Sequence, residues 1–246
     1  MGHRFDLARS GYVNLLQPQD RGSRAPGDAR GVVLARRRSL ERGLGEPLLG
    51  ALLRLLEGLG KGARILDVGC GEGYFLGHLA ERLPLNAVGV DISSSATGAA
   101  AKRYRNVRWI VANADLRLPF GDGSFSVVLS VTGPKNSREF LRLLAPEGRL
   151  VLVISGPDDL AELRSAVLGH AKGLDRAPRM QEMFGADFAL ESEETVRSVA
   201  RLSAAALADL AAGTYRGARH RERARLTALT ELDVTLSYRI LVFRPR

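Results

Sequence analysis

Three stretches of this sequence carry chemistry-bearing residues at telling intervals. Asp67-Val68-Gly69-Cys70-Gly71-Glu72-Gly73-Tyr74 follows the apolar Ile65-Leu66, so a buried strand runs into a glycine-rich turn and then a helix. Glycines in such a turn let the backbone bend sharply and approach a ligand with no side chain between. Asp91 and Ile92 close the next apolar run, where a carboxylate can accept hydrogen bonds from both hydroxyls of a ribose. Asn113-Ala114-Asp115 follows a third apolar run, in place to meet an adenine edge, and Leu118-Pro119-Phe120 supplies an apolar wall. A glycine-rich turn alone occurs in many α/β proteins; the ordered set is the signal. The glycines run G-x-G-x-G and not G-x-G-x-x-G, and Asp67 would repel a pyrophosphate while attracting a cation. Between a nicotinamide dinucleotide and S-adenosylmethionine, the pattern favours the second. The candidate donor-binding residues are Asp67, Gly69, Gly71, Glu72, Gly73, Tyr74, Asp91, Ile92, Asn113, Ala114 and Asp115.

The surrounding chain has the elements to hold such a loop. From Ala63 onward, short apolar runs at Arg64–Val68, Ala87–Val90, Val107–Val111, Phe125–Val131 and Leu150–Ile154 read as buried strands. Helical patterns fall at Tyr74–Arg82, Ser95–Tyr104, Ser137–Leu144 and Asp158–Ala171. Alternation of this kind predicts a doubly wound, Rossmann-like α/β fold with a parallel sheet. A strand at Glu194–Leu202, a helix at Ala204–Ala212 and an alternating strand at Glu231–Phe243 would complete seven strands, the last antiparallel. Residues 1–30 are loop-rich, but Gly11-Tyr12-Val13-Asn14-Leu15-Leu16 is too apolar for a free tail and should dock. Asp28 is a candidate cap for a helix reaching about Arg42, and a leucine-faced helix should follow Pro47. The expected organisation is an N-terminal extension over 1–45 and a donor-binding domain over 46–246.

A chain of 246 residues can bury a core without disulfide or metal staples. Cys70 is the single cysteine, no apolar run approaches the roughly 20 residues of a membrane span, and the opening residues lack a secretory core. These point to a reduced, cytoplasmic setting without a membrane partner; a homodimer is compatible with them. Lys and Arg number 36 against 27 Asp and Glu, a formal charge of +9, which favours a polyanionic partner through counterion release. Candidate phosphate contacts are Arg36, Arg37 and Arg38, and a later run with Arg219, Arg221 and Arg225. Glu222 interrupts that run, and a solvated charged face is the plainer reading of each arginine singly. Tyr12 and Tyr215 are candidate platforms for an unstacked base, or simply packed rings. Beyond the fourth of these strands, Thr132, Lys135 and Asn136 are the acceptor-side candidates, with no catalytic base assigned. Cys70 sits on the donor side, against a nucleophilic role, and no two of the four histidines have metal-ligand spacing.

More specific segments are Phe5-Asp6-Leu7-Ala8-Arg9-Ser10-Gly11-Tyr12-Val13-Asn14-Leu15-Leu16, Pro26-Gly27-Asp28, Ala35-Arg36-Arg37 and Ala100-Ala101-Lys102-Arg103-Tyr104. With Asp67–Tyr74, Leu118-Pro119-Phe120, Gly156-Pro157 and Leu160-Ala161-Glu162-Leu163, the chain resembles the bacterial 23S rRNA (guanine-N1)-methyltransferases of the RlmA type, which include the tylosin-resistance methyltransferase. The resemblance implies a class I S-adenosylmethionine-dependent methyltransferase that acts on 23S rRNA or another structured RNA. It also makes residues 1–45 the remnant of an RNA-recognition region, and antibiotic resistance one consequence to look for. Members of that family begin with a zinc module of three Cys and one His. His3 falls where that His would stand, but the thiolates are missing, so no zinc is expected; either the chain is truncated at its start or this branch has discarded the module. Gly45 replaces a family Tyr, Asp159 a His, and Thr132-Gly133-Pro134 an aromatic-Ala-Pro. These departures leave a small-molecule, secondary-metabolite methyltransferase as the alternative, and a catalytically inactive binding protein as a third reading.

Overall fold

A computed structural model describes residues 7–17, 19, 27–171, 173–214 and 220–246, without the side chains of 220–223. Its strands are β1 (Tyr12–Asn14), β2 (Arg64–Val68), β3 (Asn86–Asp91), β4 (Arg108–Val111), β5 (Phe125–Val131), β6 (Leu144–Ser155), β7 (Phe188–Ser203) and β8 (Glu231–Pro245). They form one sheet in the order β1-β4-β3-β2-β5-β6-β8-β7. Neighbours from β1 to β6 are parallel, whereas β8 runs antiparallel to both β6 and β7. Central strands are apolar on both faces because helices cover both: Ile65, Leu66, Val127, Val128, Leu129, Val151 and Leu152 are fully buried. β2 has β3 on one side and β5 on the other. The chain order therefore reverses at β2, and a crevice opens at the carboxyl ends of the strands there.

The helices are α1 (Arg30–Ser39), α2 (Glu46–Leu56), α3 (Tyr74–Arg82), α4 (Ser94–Arg103), α5 (Ser137–Leu143), α6 (Ala161–Leu168), α7 (Ala177–Phe184), α8 (Ala204–Thr214) and α9 (His220–Thr227). One core layer joins Leu48 and Leu52 of α2, Leu76 and Leu79 of α3 and Trp109 of β4. On the opposite face Phe140, Phe184, Phe188 and Phe243 pack together, with ring centroids 5.7–6.4 Å apart. A third cluster ties Leu163 of α6 and Leu207 of α8 to Val234 and Leu236 of β8. Each such side chain removed from water contributes about 1.5–3 kcal/mol.

The α/β class is as expected; the strand count is eight, not seven. The additional strand comes from the apolar Tyr12-Val13-Asn14, which docks in register against Trp109-Ile110-Val111 and so covers the unpaired backbone groups along the edge of β4. α1 in turn packs on α8 and α4. Ala29, not Asp28, is the N-cap of α1, and it makes no side-chain cap bond; Asp28 pairs with Arg36 at 2.7 Å. The helix expected over 158–171 is shorter, ending where Gly169 adopts φ +83°. Helix α7 has no counterpart among the helices expected from the sequence; Ala177, Met180 and Phe184 are its buried residues. Strand β7 starts six residues before the expected Glu194, because its Glu191–Glu194 stretch is exposed on the sheet edge, where charge is what an edge strand tolerates. Among the described residues, no helix is long and apolar enough to cross a membrane.

Candidate donor and acceptor site

A cleft of about 360 Å³ opens at the carboxyl ends of β2, β3 and β5. Ten of the eleven donor-binding candidates line it: Asp67, Gly69, Gly71, Glu72, Tyr74, Asp91, Ile92, Asn113, Ala114 and Asp115. Gly73 does not. A Cβ there would lie 2.5 Å from the Trp109 ring, at φ +79°, so this glycine lets α3 pack against β4. Gly69 has φ +80°, and a Cβ on it would meet Pro134 at 2.6 Å. The loop is pinned from behind: the N–H groups of Gly69 and Cys70 donate to the Val90 carbonyl at 2.8 and 3.1 Å. Asp91 accepts from the N–H of Gly71 at 2.9 Å and of Ser93 at 2.8 Å, and each of its oxygens keeps a further lone pair for a ribose hydroxyl. Asn113 accepts from the Asp115 N–H at 3.0 Å. The Tyr74 hydroxyl donates to Glu46 at 3.0 Å; a Cβ at Gly45 would lie 2.6 Å from the Tyr74 ring, so Gly45 is what admits that ring.

The cleft is short of positive charge. Asp67 is 2 % exposed, and burial, reinforced by Asp91 and Glu72, pushes its carboxyl up to about 8. Burial also raises Glu72 and Asp91 and holds the Cys70 thiol well above its ordinary range, so Cys70 is no thiolate nucleophile. Asp67 Oδ1 and Glu72 Oε2 are buried with no hydrogen-bond partner in the protein. Two orphaned carboxylate oxygens in an anionic cleft are what a ligand with an ammonium group would satisfy.

A second cavity of about 310 Å³ abuts the first, and Arg36, Leu40, Phe75, Val131 and Thr132 line both. Its remaining wall includes Asp159, Leu160, Leu210, Leu236 and Tyr238. Thr132 and Leu160 are the two non-glycine residues with positive φ (50° and 55°) among the described residues. Each costs of order 1–3 kcal/mol, which the surrounding packing must override, and both line this cavity.

A family profile described as a methyltransferase domain matches residues 65–148. The 23S rRNA (guanine(748)-N(1))-methyltransferase of Streptomyces fradiae is 34% identical over 212 residues, covering 84% of this chain and 74% of that protein. A Micromonospora griseorubida protein, provisionally named a 23S rRNA (guanine-N(1)-)-methyltransferase, is 32% identical over 270 residues, 99% of this chain and 88% of its own. The chain belongs to this methyltransferase family. Among solved structures, an S-adenosylmethionine-dependent methyltransferase from Thiobacillus denitrificans, in complex with S-adenosylhomocysteine, superposes with a TM-score of 0.53 at 18% identity over 80% of this chain and 90% of that one, a likeness of fold.

The protein is thus an S-adenosylmethionine-dependent methyltransferase, and the residues that would hold that donor are Asp67 and Glu72, whose orphaned oxygens would take the methionine ammonium, Asp91, which would take the ribose, and the Asn113–Asp115 turn, which would meet the adenine. The donor supplies an electrophilic methyl on a sulfonium. The chain's own task is to hold an acceptor in line with it and away from water. Among the described residues, no group of three or more His, Cys, Asp or Glu could hold a metal.

Of the acceptor-side candidates, Thr132 stands at the seam of the two cavities. Lys135 and Asn136 line neither. The Lys135 ammonium donates to the Gly133 carbonyl at 2.6 Å, and burial lowers its pKa. Asn136 caps α5 through the Glu139 N–H at 3.3 Å and donates to the Ala114 carbonyl at 3.1 Å, which makes it a brace for the adenine-side turn. Arg36 faces both cavities, Arg37 pairs with Glu41 at 2.8 Å, and Arg38 pairs with Asp209 at 2.5 Å. Tyr12 is half-buried against α4, 3.4 Å from where a Gly98 Cβ would stand. Arg225 donates to the Val167 carbonyl at 3.2 Å. Tyr215 and Arg219, and the side chain of Arg221, lie outside the described residues. Sequence reasoning missed Phe75, Tyr238 and the pocket role of Asp159, which come together from α3, β8 and the turn before α6.

Proposed function

We propose that this methyltransferase places a methyl group on N1 of a guanine in 23S rRNA, in the cytoplasm. The observation that carries the reading is the second cavity. At about 310 Å³ it has room for a nucleobase, its walls include the Phe75 and Tyr238 rings, and it joins the donor cleft at Thr132. A base in folded RNA must leave its stack to be methylated, at a cost of a few kcal/mol, and a pocket of this kind repays that. The relatives named for guanine-N(1) methylation of 23S rRNA and the charge of +9 support the same acceptor. Arg37 and Arg38, paired but half exposed, keep guanidinium donors for phosphates, and Tyr12, Arg219, Arg221 and Arg225 are the further RNA contacts of this reading.

Transfer of labelled methyl from S-adenosylmethionine to unmodified 23S rRNA, naked and in subunits, followed by nucleoside analysis, tests it. Labelled 1-methylguanosine is the expected product. The leucines 40, 44, 160, 210 and 236 around the cavity favour a second reading, a small apolar acceptor, and donor binding with no RNA labelled would move the assignment there. Sedimentation of the same preparation reads whether the working unit is one chain or two.

A further inference from the structure

Asp159 is the one acidic residue among the described residues that line the second cavity, and it is built in. Asp159 is 9 % exposed. It accepts from the Ser237 N–H at 3.0 Å and from the Ser155 hydroxyl, so the middle of β8 and the end of β6 hold it in place. An ionised carboxylate has about four lone-pair sites, and these bonds use two. The bond to the buried Ser237 N–H needs one side-chain oxygen, which an asparagine would supply as well; the turn itself is closed by backbone, with the Asp159 N–H on the Gly156 carbonyl at 3.2 Å and Arg164 on the Asp159 carbonyl. Its neighbour Leu160 is held at φ +55° beside the same cavity. Backbone strain next to a buried, immobilised acid in a ligand-sized hole marks a residue kept for what enters the hole.

Resting on the guanine reading above, we infer that Asp159 binds the Watson–Crick edge of the acceptor, taking hydrogen bonds from the N1–H and the exocyclic amino group, and removes the N1 proton as the methyl arrives. The balance is simple. The electron pair of the N1–H bond forms the new N1–C bond, the pair of the donor's C–S bond stays on sulfur, and the proton ends on Asp159, from which solvent takes it. A carboxylate offers two acceptors to the two adjacent N–H groups of guanine, whereas adenine presents an acceptor at N1 and would meet Asp159 with lone pair against lone pair. Phe75 and Tyr238 flank the site with rings, and Thr132 places it next to the donor cleft. The raised pKa of Asp159, caused first by burial and opposed by its bonds to Ser237 and Ser155, suits a base whose proton must come from a weakly acidic amide. The other titratable or charged groups facing it are Tyr238, Asp158, Arg164 and, across the cavity, Arg36.

The test uses the full-length protein and the 23S rRNA hairpin that the wild-type enzyme labels. Asp159→Asn keeps an oxygen for Ser237. It should bind S-adenosylmethionine and melt as the wild type does, yet methylate at a rate lower by about 10²–10⁴. With donor saturating, the wild-type rate should rise with pH through the raised carboxyl value of Asp159 and the Asp159→Asn rate should not. Replacing the target guanosine by inosine, which lacks the amino group, should weaken RNA binding to the wild type about ten- to a hundredfold and leave binding to Asp159→Asn unchanged. If Asp159→Asn methylates guanine at the wild-type rate, or if inosine costs both proteins equally, the inference falls while the function stands. If Asp159→Asn loses donor binding or melts early, Asp159→Glu decides: activity restored with a displaced pH profile supports the base, and stability restored without activity or guanine preference overturns it. If the wild type labels no RNA, the functional reading and this inference fall together.

Discussion

The two cavities sit side by side and share five residues, yet they are built in opposite ways. Most of the donor cleft comes from three short segments at the ends of β2, β3 and β4, and its shape depends on backbone: glycines at positive φ after β2, with the acids Asp67, Asp91 and Asp115 in the three segments. The acceptor cavity is assembled from α1, α3, β5, β6, α8 and β8 and from the connections that carry Leu40, Leu44, Thr132, Asp159 and Leu160, a few side chains from each. The first kind of site leaves a contiguous signature because a backbone turn must be encoded locally. The second is spread from Arg36 to Tyr238 and acquires meaning only when β8 inserts between β6 and β7. Donor chemistry is the constant part of such a molecule and acceptor chemistry the part that side-chain exchange can retune.

Substitutions should respect that division. The largest effect is expected at Gly73→Ala, where positive φ and the Trp109 ring together cost about 2–4 kcal/mol of stability. A calorimetric melting scan checks it, and because Gly73 lies outside both cavities, donor affinity of the folded fraction should be retained. Next, Asp67→Asn should weaken S-adenosylmethionine binding by about ten- to a hundredfold above pH 8, the loss of one charged hydrogen bond. Its pH dependence has a definite sign. In the empty protein Asp67 is protonated up to about pH 8, so wild-type affinity should climb with pH to that point, while Asp67→Asn, left with the titration of Glu72 and Asp91 alone, should climb less. For the empty fold the effect inverts. A carboxyl raised from 3.8 to about 8 lowers stability progressively as pH rises between those values, and the amide variant should melt higher than wild type at pH 8.5. Isothermal titration and melting curves across pH read the two halves of this prediction; parallel behaviour of the two proteins would remove Asp67 from the donor site.

On the acceptor side, Leu210→Trp puts bulk into the second cavity. It should reduce methylation kcat/KM at least about tenfold with donor affinity unchanged, since one displaced group costs on the order of 1.4 kcal/mol or more. Equal loss of both would mean that the cavities are not separable. Smallest of all, Asp209→Asn breaks the pairs with Arg38 and Arg42 that tie α8 to α1 and to the turn that follows it. These are surface pairs, so the melting temperature should fall by only about one to three degrees.

The same contrast explains what the sequence disclosed. Asp67–Tyr74, Asp91 and Asn113–Asp115 were legible because strand, turn and acid follow one another in order, and ten of the eleven donor-binding candidates do line one cleft. The parallel core was legible from its runs of apolar residues. Strand β1 was half visible: Tyr12-Val13-Asn14 announced that it must dock, but three residues have no period, and pairing with β4 could be seen only in space. The arginine triplet read as a basic patch because sequence shows like charges together and hides their partners; Asp28, Glu41 and Asp209 come from three other places. Asp159 stood out as a departure from the family pattern, and its pocket became visible only once Ser155 and Ser237 were seen to hold it.

The most direct measurement is a structure of the full chain with S-adenosylhomocysteine and the RNA hairpin it methylates. The account predicts the homocysteine ammonium against Asp67, the ribose on Asp91, and an everted guanine between Phe75 and Tyr238 with N1 turned toward the sulfur past Thr132. A guanine bound elsewhere, or a donor lying across the second cavity, would contradict it.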